Sequence, residues 1–338
     1  MIQIFGQRTD VNSSRWEVWL NQKLRNVVSL WTVLINYVKR KNLDTTKYDK
    51  AVRRAYGSRV YACHWYLDIV TQGQWGALVF DDYYSVMPLP FNRKYFGIPQ
   101  VYRPILTQQL GVFAENPNPF HVWRYINRMP RRFRKIHLPM TQESYVRGLK
   151  EKTNLTLDIN RPYEEIEAGY SKSLRKNLRK ANDIYHMEKS TDVDLLVDMY
   201  RAHLEDKVHF GEKNYSIAHK LFTKLVDNGC GQLWQVKKDN EVVATGIFPI
   251  YRARVYNIFA VSAPDAPNAM AYLIDQMIRM NKRDGGLFDF EGSEVPGIQE
   301  FFKSFGAKYD PYYLYIDHKF PFNETPDDLE HYDFLNPF

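Results

Sequence analysis

Cysteine is scarce in this 338-residue chain: there are two, Cys63 and Cys230, far apart in sequence. That excludes a disulfide framework and a cysteine-based zinc site, and it fits a reducing, cytoplasmic setting. Long apolar runs are missing as well. None approaches the ~20 residues of a membrane-crossing helix. The nearest, Val27 to Val38, is interrupted by Ser29, Thr32 and Asn36. It follows Lys23 and Arg25 as a signal sequence would, but Lys39-Arg40-Lys41 stands where small residues for cleavage would be needed, so it reads as a buried strand. No integral membrane segment is expected. His203, His209 and His219 lack the HExxH or any comparable metal spacing. There is no GxSxG elbow, no P-loop and no dinucleotide fingerprint, so hydrolase, kinase and dehydrogenase have no support, and no metal or permanently bound cofactor is expected. Positive charge is absent from the tail, Pro321 to Phe338, which holds Glu324, Asp327, Asp328, Glu330 and Asp333. The whole chain is +7, so the remainder carries +12 and favours anionic partners such as nucleotides, phosphates, RNA or anionic lipid.

What is present is enough for a substantial core: 44% hydrophobic residues, with 24 Tyr, 20 Phe and 7 Trp. Residues 1–30 read as an extra helix or a loosely attached leader. "TVLINYV" reads as a strand, and "LDTTKYDKAVRRAYG" as a helix capped by Asp44 or Thr45. "WGALVFDDYYSVMPLPF" reads as two strands around Asp81-Asp82, and "QVYRPILTQQLGVF" as strand-like. "NPNPFHVWRYINRMPRRF" continues as a helix, and "RKIHLPM" and "TNLTLDI" as strands. "PYEEIEAGYSKSLRKNLRKANDIY" is helical, followed by two amphipathic helices and a three-strand antiparallel meander with turns at Asp239-Asn240 and near Arg252. Met270, Leu273, Ile274, Met277 and Ile278 form an apolar helical stripe stopped by Gly285-Gly286. In "FDFEGSEVPGIQEFFKSFGA", Phe288 and Phe290 alternate with Asp289 and Glu291, which a strand would place on one face. A helix burying Ile298, Phe301, Phe302 and Phe305 follows, then the strand "YDPYYLYID". "LWQVKKDNEVVATGIFP" echoes "WGALVFDDYYSVMPLPF", which is compatible with an internal duplication.

Helices, an antiparallel meander, helix, strand, helix and strand is the order of the GNAT acyltransferase fold. "YSKSLRKNLRKAND", "FAVSAPDAPNAMAYLIDQMI" and "FDFEGSEVPGIQEFFKSFGA" together resemble the FemAB-like branch of that superfamily, whose members have two GNAT-type domains in tandem. "YLDIVTQGQWGALVFDDYYSVMPLPFNRKYFG" followed by "YRPILTQQLGVF" resembles the first domain of bacterial, especially Bacteroidetes-type, members, and the resemblance covers about residues 31 to 318. It implies an α/β (α+β) fold of two tandem GNAT-like domains, each a mixed, mainly antiparallel sheet flanked by helices. The expected division is 31–150 and 151–320, followed by the acidic tail at 321–338. It also implies acyl transfer to an amine, with acyl-CoA or aminoacyl-tRNA as co-substrate. The acceptor would be a small molecule or a cell-envelope precursor, and tRNA is a candidate partner. Two departures accompany it. The place of the Gly-rich pyrophosphate loop reads "SAPDAPNAM", with two prolines lacking N–H donors and Asp265 repelling phosphate. No coiled-coil arm of the tRNA-using members is visible.

The candidate residues divide by the source of the argument. Lys303 matches the lysine of the family's Phe-Lys pair, here Phe302-Lys303, which the resemblance places near the reacting centre. Tyr256 and Asn257 fall on the strand that presents the acyl group in GNAT folds. From the residues themselves, Asp289 and Glu291 are proton acceptors at a strand end, with capping of the next helix by Glu291 or Ser293 as the structural alternative. Arg175 and Arg179 share a helix face and could grip a phosphate or carboxylate, or simply be solvated. Arg103, Gln108 and Gln109 are polar residues in strand-like sequence that could line a cleft between domains or serve a sheet edge. "RMPRRFRK" reads as a basic surface turn. A GNAT-derived binding module for a nucleotide-bearing ligand, without turnover, is the alternative to an enzyme.

Overall fold

A computed structural model describes residues 35–319, apart from 96, 117–118, 142–147, 283–284 and 293. The expected leader at 1–30, the acidic tail and Ser293 lie outside the described residues. In the first half, β1 (Ile35–Lys39) leads to α1 (Thr45–Arg54), whose N-terminus is capped by Asp44: its carboxylate accepts from the Lys47 N–H at 3.0 Å. Then come α2 (His64–Val70), β2 (Trp75–Phe80), β3 (Ser85–Tyr95), β4 (Ile98–Val101), α3 (Pro119–Asn127), β5 (Lys135–Met140) and β6 (Leu149–Lys152). The turn between β2 and β3 uses Asp81 and Tyr83 at positive φ, and the pair Phe80↔Ser85 closes it. Residues 102–113, expected to be strand-like, are irregular; they meet the sheet through the isolated bridges Val86↔Phe113 and Leu110↔Met140 and through the Tyr102 N–H, which donates to the Pro90 carbonyl at 3.2 Å. Pro104 lacks an N–H donor, and Leu106 and Gly111 have positive φ, so a regular ladder cannot run through them.

The second half contains β7 (Leu155–Asp158), α4 (Tyr163–Ala168), α5 (Lys172–Asn182), β8 (His186–Ser190), α6 (Val193–Val208), α7 (Glu212–Asp227), β9 (Gly231–Lys238) and β10 (Glu241–Tyr251). It continues with β11 (Arg254–Tyr256), β12 (Phe259–Ser262), α8 (Ala269–Asn281), β13 (Leu287–Asp289), α9 (Pro296–Lys303), β14 (Lys308–Tyr309) and β15 (Tyr312–His318). The single helix expected over 162–185 is two, broken around Gly169. That break lets α9's terminus come close: the Ser171 N–H donates to the Ser304 carbonyl at 2.8 Å. Gly306, at φ +75°, sits where an added Cβ would stand 3.0 Å from the Gly169 carbonyl oxygen.

The first sheet has the order β1-β2-β3-β4-β5-β15-β6, and the second β14-β7-β13-β11-β10-β9-β8 with β12 on β10. Most neighbours are antiparallel; β4–β5 and β11–β13 are parallel. The last described strand thus returns to the first sheet, between β5 and β6. A division at residue 150 separates the sheets in sequence except at β6's end and at β15. The cores also cross it. Val193 to Leu225 of α6 and α7, with Tyr256 and Phe259, join the first-half core. The second core holds the α8 stripe with Phe288, Phe290, Phe302 and Phe305. Tyr61 and Tyr256, both fully buried, meet edge to face at 5.4 Å across the seam. No helix among the described residues is long and apolar enough to cross a membrane.

Candidate active site at the seam between the sheets

The expected third strand of the meander is broken at Asn257-Ile258, and the break coincides with a fork. β11 pairs in parallel with β13 over 254↔287, 255↔288 and 256↔289. One more link, from the Asn257 N–H to the Asp289 carbonyl at 2.9 Å, ends the contact. Beyond it β12 pairs with β10 alone, and the Phe290 N–H turns to the Leu155 carbonyl at 3.0 Å. Two parallel strands therefore part at their carboxyl ends, where open sheets place their sites.

Polar side chains from both halves fill the region around the fork. Arg254 donates to Asp289 at 2.5 Å, with Asp289 fully buried and Arg254 nearly so. Burial disfavours the Arg254 charge, but Asp289 and its neighbours outweigh that, and its pKa rises. From the first half, the buried Arg59 donates through Nε to Gln109 Oε1 and through Nη1 to the Ser58 carbonyl, both at 3.2 Å. Its pKa is lowered, first by burial and then by the nearby Arg254 charge. Gln109 donates to Gln108 at 2.6 Å, Gln108 to Asn154 Oδ1 at 3.3 Å, and the same Asn154 oxygen receives the Gly292 N–H at 2.9 Å. A continuous chain of hydrogen bonds thus ties the 108–109 segment to the residues after β13.

Glu291 stands in that segment. Its N–H donates to the Asp289 carboxylate at 3.1 Å, its backbone is left-handed at φ +60°, and its Oε1 is buried. Desolvation pushes its pKa up to about 8, with Arg59 opposing the rise. A left-handed glutamate is strained unless its surroundings hold it. The hold is visible: Gly292 follows so closely on Asn154 that a Cβ would lie 2.5 Å from the Asn154 Cα. A buried carboxyl with pKa near 8 is a competent proton acceptor for an amine.

The structure brings Asp289, Glu291, Tyr256, Asn257 and Gln109 together here, and Gln108 with them. Arg103 donates to the Tyr312 hydroxyl at 3.0 Å, the residue that opens β15. Three placements differ from the expectation. Lys303 lies half-exposed on α9 and pairs with Glu300 at 2.9 Å, one turn back on the same helix. Phe302 is fully buried and packs on Phe290 at 4.9 Å, so it is core and not a substrate contact. Glu291 does not cap α9; the N-cap is Val295, without a side-chain bond. Arg175 is half-buried and Arg179 exposed on α5, whose Leu174 and Leu178 are buried. Arg59, Arg254 and Asn154 were not singled out by the sequence. A lone arginine inside the apolar stretch "SRVYA" was the signal available for Arg59.

A second cluster has the wrong chemistry. Asp49 accepts from His64 Nδ1 at 2.6 Å beside Cys63, but burial pushes the Cys63 thiol up to about 12, so no thiolate nucleophile stands there. Among the described residues no group of three or more His, Cys, Asp or Glu could hold a metal. In the loop between β12 and α8, the Ala263, Ala266 and Ala269 N–H groups donate to Val243, Ala263 and Ala266 carbonyls, and Pro264 and Pro267 have none to offer. That loop fits a pyrophosphate poorly.

Residues 168–303 match the family described as an acetyltransferase (GNAT) domain. Among solved structures, a crystal structure of FemX is similar over 83% of this chain and 97% of its own, with 12% identity and a TM-score of 0.63. That likeness is one of fold. A conserved protein of unknown function from Bacteroides thetaiotaomicron is similar over 84% of this chain and 99% of its own, at 9% identity and a TM-score of 0.54. The C-terminal domain of a putative lysylphosphatidylglycerol synthetase from Agrobacterium fabrum covers 81% and 92% at 15% identity and a TM-score of 0.50. No curated protein matches the sequence. The GNAT match and the FemAB-like fold support an acyltransferase.

Proposed function

We propose that this protein transfers an acyl or aminoacyl group from an activated donor to an amine, at the fork between β12 and the end of β13. The observation that carries the reading is Glu291: a buried carboxyl, held in a left-handed turn where the strands part, with its pKa raised to about 8. In the proposed step the acceptor amine attacks the donor carbonyl while the Glu291 carboxylate takes a proton from nitrogen. The new C–N bond forms, the bond to the donor's sulfur or oxygen breaks, and the leaving group departs with the electron pair and is reprotonated. Main-chain N–H groups on the edge of β12 that β10 does not use would meet the developing oxyanion. Arg254, Asp289 and the Arg59–Gln109–Gln108–Asn154 chain are positioning residues. They fix the turn that presents Glu291.

Acyl-CoA and aminoacyl-tRNA are both donors of the required chemistry. The internally bonded β12–α8 loop favours a donor that is not anchored by a pyrophosphate there. The FemX-like fold supports an amine acceptor, which in this reading is a small molecule or a cell-envelope precursor, and the free cysteines suit a cytoplasmic setting. The test is to present acetyl-CoA, longer acyl-CoAs and aminoacyl-tRNA at fixed salt with a panel of amines, and to detect product by mass. Transfer from at least one donor, lost in Glu291→Gln, is expected. Tight binding of a nucleotide-bearing donor with no turnover from any of them would contradict the enzyme and favour a binding module.

A further inference from the structure

On the first sheet, far in sequence from the fork, residues 119–140 contain Arg124, Arg128, Arg131, Arg132, Arg134 and Lys135 and no Asp or Glu. The five arginines are exposed, and among the described residues none pairs with a carboxylate. The Arg132 guanidinium lies over the Tyr37 and Phe133 rings, 4.7 and 5.1 Å from their centroids, so part of the cationic surface rests on aromatic rings. α3 buries Val122 and Tyr125 and turns Trp123 outward, 53% exposed. Tyr84, 52% exposed, helps line a small pocket with Ile35, Phe80, Ser85, Arg124 and Tyr125, the two residues that follow Trp123 on α3 among them. The pocket holds about 30 Å³, and its polar floor is self-satisfied, because the Ser85 and Tyr125 hydroxyls bond each other at 2.6 Å. Ile35, Phe80 and Tyr84 supply apolar lining, and Arg124 adds the one charged side chain. Ile35 and Tyr37 alternate along β1, so pocket and arginine platform share one face of an edge strand. Acids border the face at two places: Asp317, opposite Ile136 on β15, pairs with Lys319 at 3.2 Å, and Asp82, in the β2–β3 turn beside Asp81, pairs with Lys47 at 2.6 Å.

We propose that this face docks on the headgroup plane of an anionic membrane. Guanidinium groups meet lipid phosphates, while Trp123 and Tyr84 settle at the level where amphipathic rings are favoured. RNA would use the same charges, but it gains nothing from a small, largely apolar pocket beside them. An interfacial lipid surface does, because the pocket admits a methyl-sized apolar group next to Arg124. Attachment of this kind is peripheral, reversible and salt-sensitive, and it would bring a soluble catalytic fork to acceptors held in a bilayer.

The test is co-sedimentation of the full chain with vesicles of phosphatidylcholine alone or with phosphatidylglycerol added. The protein binds the anionic vesicles and not the neutral ones, and release follows when salt approaches ~1 M and the screening length falls to about 3 Å. The triple variant Arg128→Gln, Arg131→Gln, Arg134→Gln binds about 100-fold more weakly, at roughly fivefold per lost charge. Trp123→Ser binds more weakly as well, and both variants keep their circular dichroism and their turnover of soluble substrates. Equal binding to neutral and anionic vesicles, or a triple variant that binds like the parent, overturns the proposal. So does single-stranded RNA held more tightly than anionic vesicles at the same salt and lost in the same variant, which would assign the face to nucleic acid.

Discussion

Replacing Glu291 by glutamine removes a charge from a place that resists it, and the consequence for stability has a definite sign. The folded protein holds this carboxyl at about 8, against an ordinary 4.5. Below pH ~4.5 the folded and unfolded chains both carry the proton and no penalty exists. Between these values the unfolded chain releases the proton and the folded one keeps it, so stability falls as pH rises. Above about 8 the full difference stands, on the order of 5 kcal/mol at ~1.4 kcal/mol per pH unit. Glutamine keeps the shape without the charge. Glu291→Gln should therefore match the parent near pH 4 and exceed its stability near pH 9, by an amount approaching that figure. Urea unfolding across this range measures it, with the m-value checked for constancy. A variant that gains nothing at high pH, or gains as much at low pH as at high, refutes the assignment of a neutral, desolvated carboxyl.

Three further outcomes separate site from scaffold. Lys303→Ala leaves transfer unchanged and lowers the free energy of unfolding by less than ~1 kcal/mol, because it breaks one exposed pair on a single helix. A large loss of turnover in that variant would return Lys303 to the reaction. Asp289→Asn leaves the largely buried Arg254 with only the more distant Asp310 carboxylate, at 3.9 Å, and should cost up to about 3 kcal/mol in urea unfolding, with turnover falling as the Glu291 turn loosens. Gly292→Ala places a Cβ 2.2 Å from the Thr153 carbonyl oxygen, so the turn must shift. About 1–3 kcal/mol is lost, and kcat falls while donor affinity is kept, which donor titration beside turnover would show.

The second half of the fold was legible because its signals are local. The α8 stripe has a clear helical period, Asp239-Asn240 marks a turn, and Phe288 and Phe290 both reach the core as alternation requires. The 102–113 segment misled because apolar content suggests a strand, while Pro104 and the positive-φ positions forbid the ladder. The destination of β15 in the first sheet could not be read at all, since nothing local tells a strand which sheet to join. The site was half visible. Asp289, Glu291 and Gln109 declared themselves as polar residues in apolar surroundings. Lys303 misled because Glu300, one turn back on the same face, neutralises it at the surface. Arg59 and Asn154 contribute through contacts with residues 50 and 138 positions away, and such pairings leave no periodic trace.

The central claim is that Glu291 takes the proton from the attacking amine, and the pH dependence of transfer tests it most directly. With the carboxyl at about 8, roughly a tenth is ionised at pH ~7. The parent's rate should climb close to tenfold per pH unit below that value and level off above it. Glu291→Gln should lose the limb and fall about 10²- to 10⁴-fold on the plateau. A parent profile that is flat through neutrality, or a limb that survives in the variant, contradicts the account.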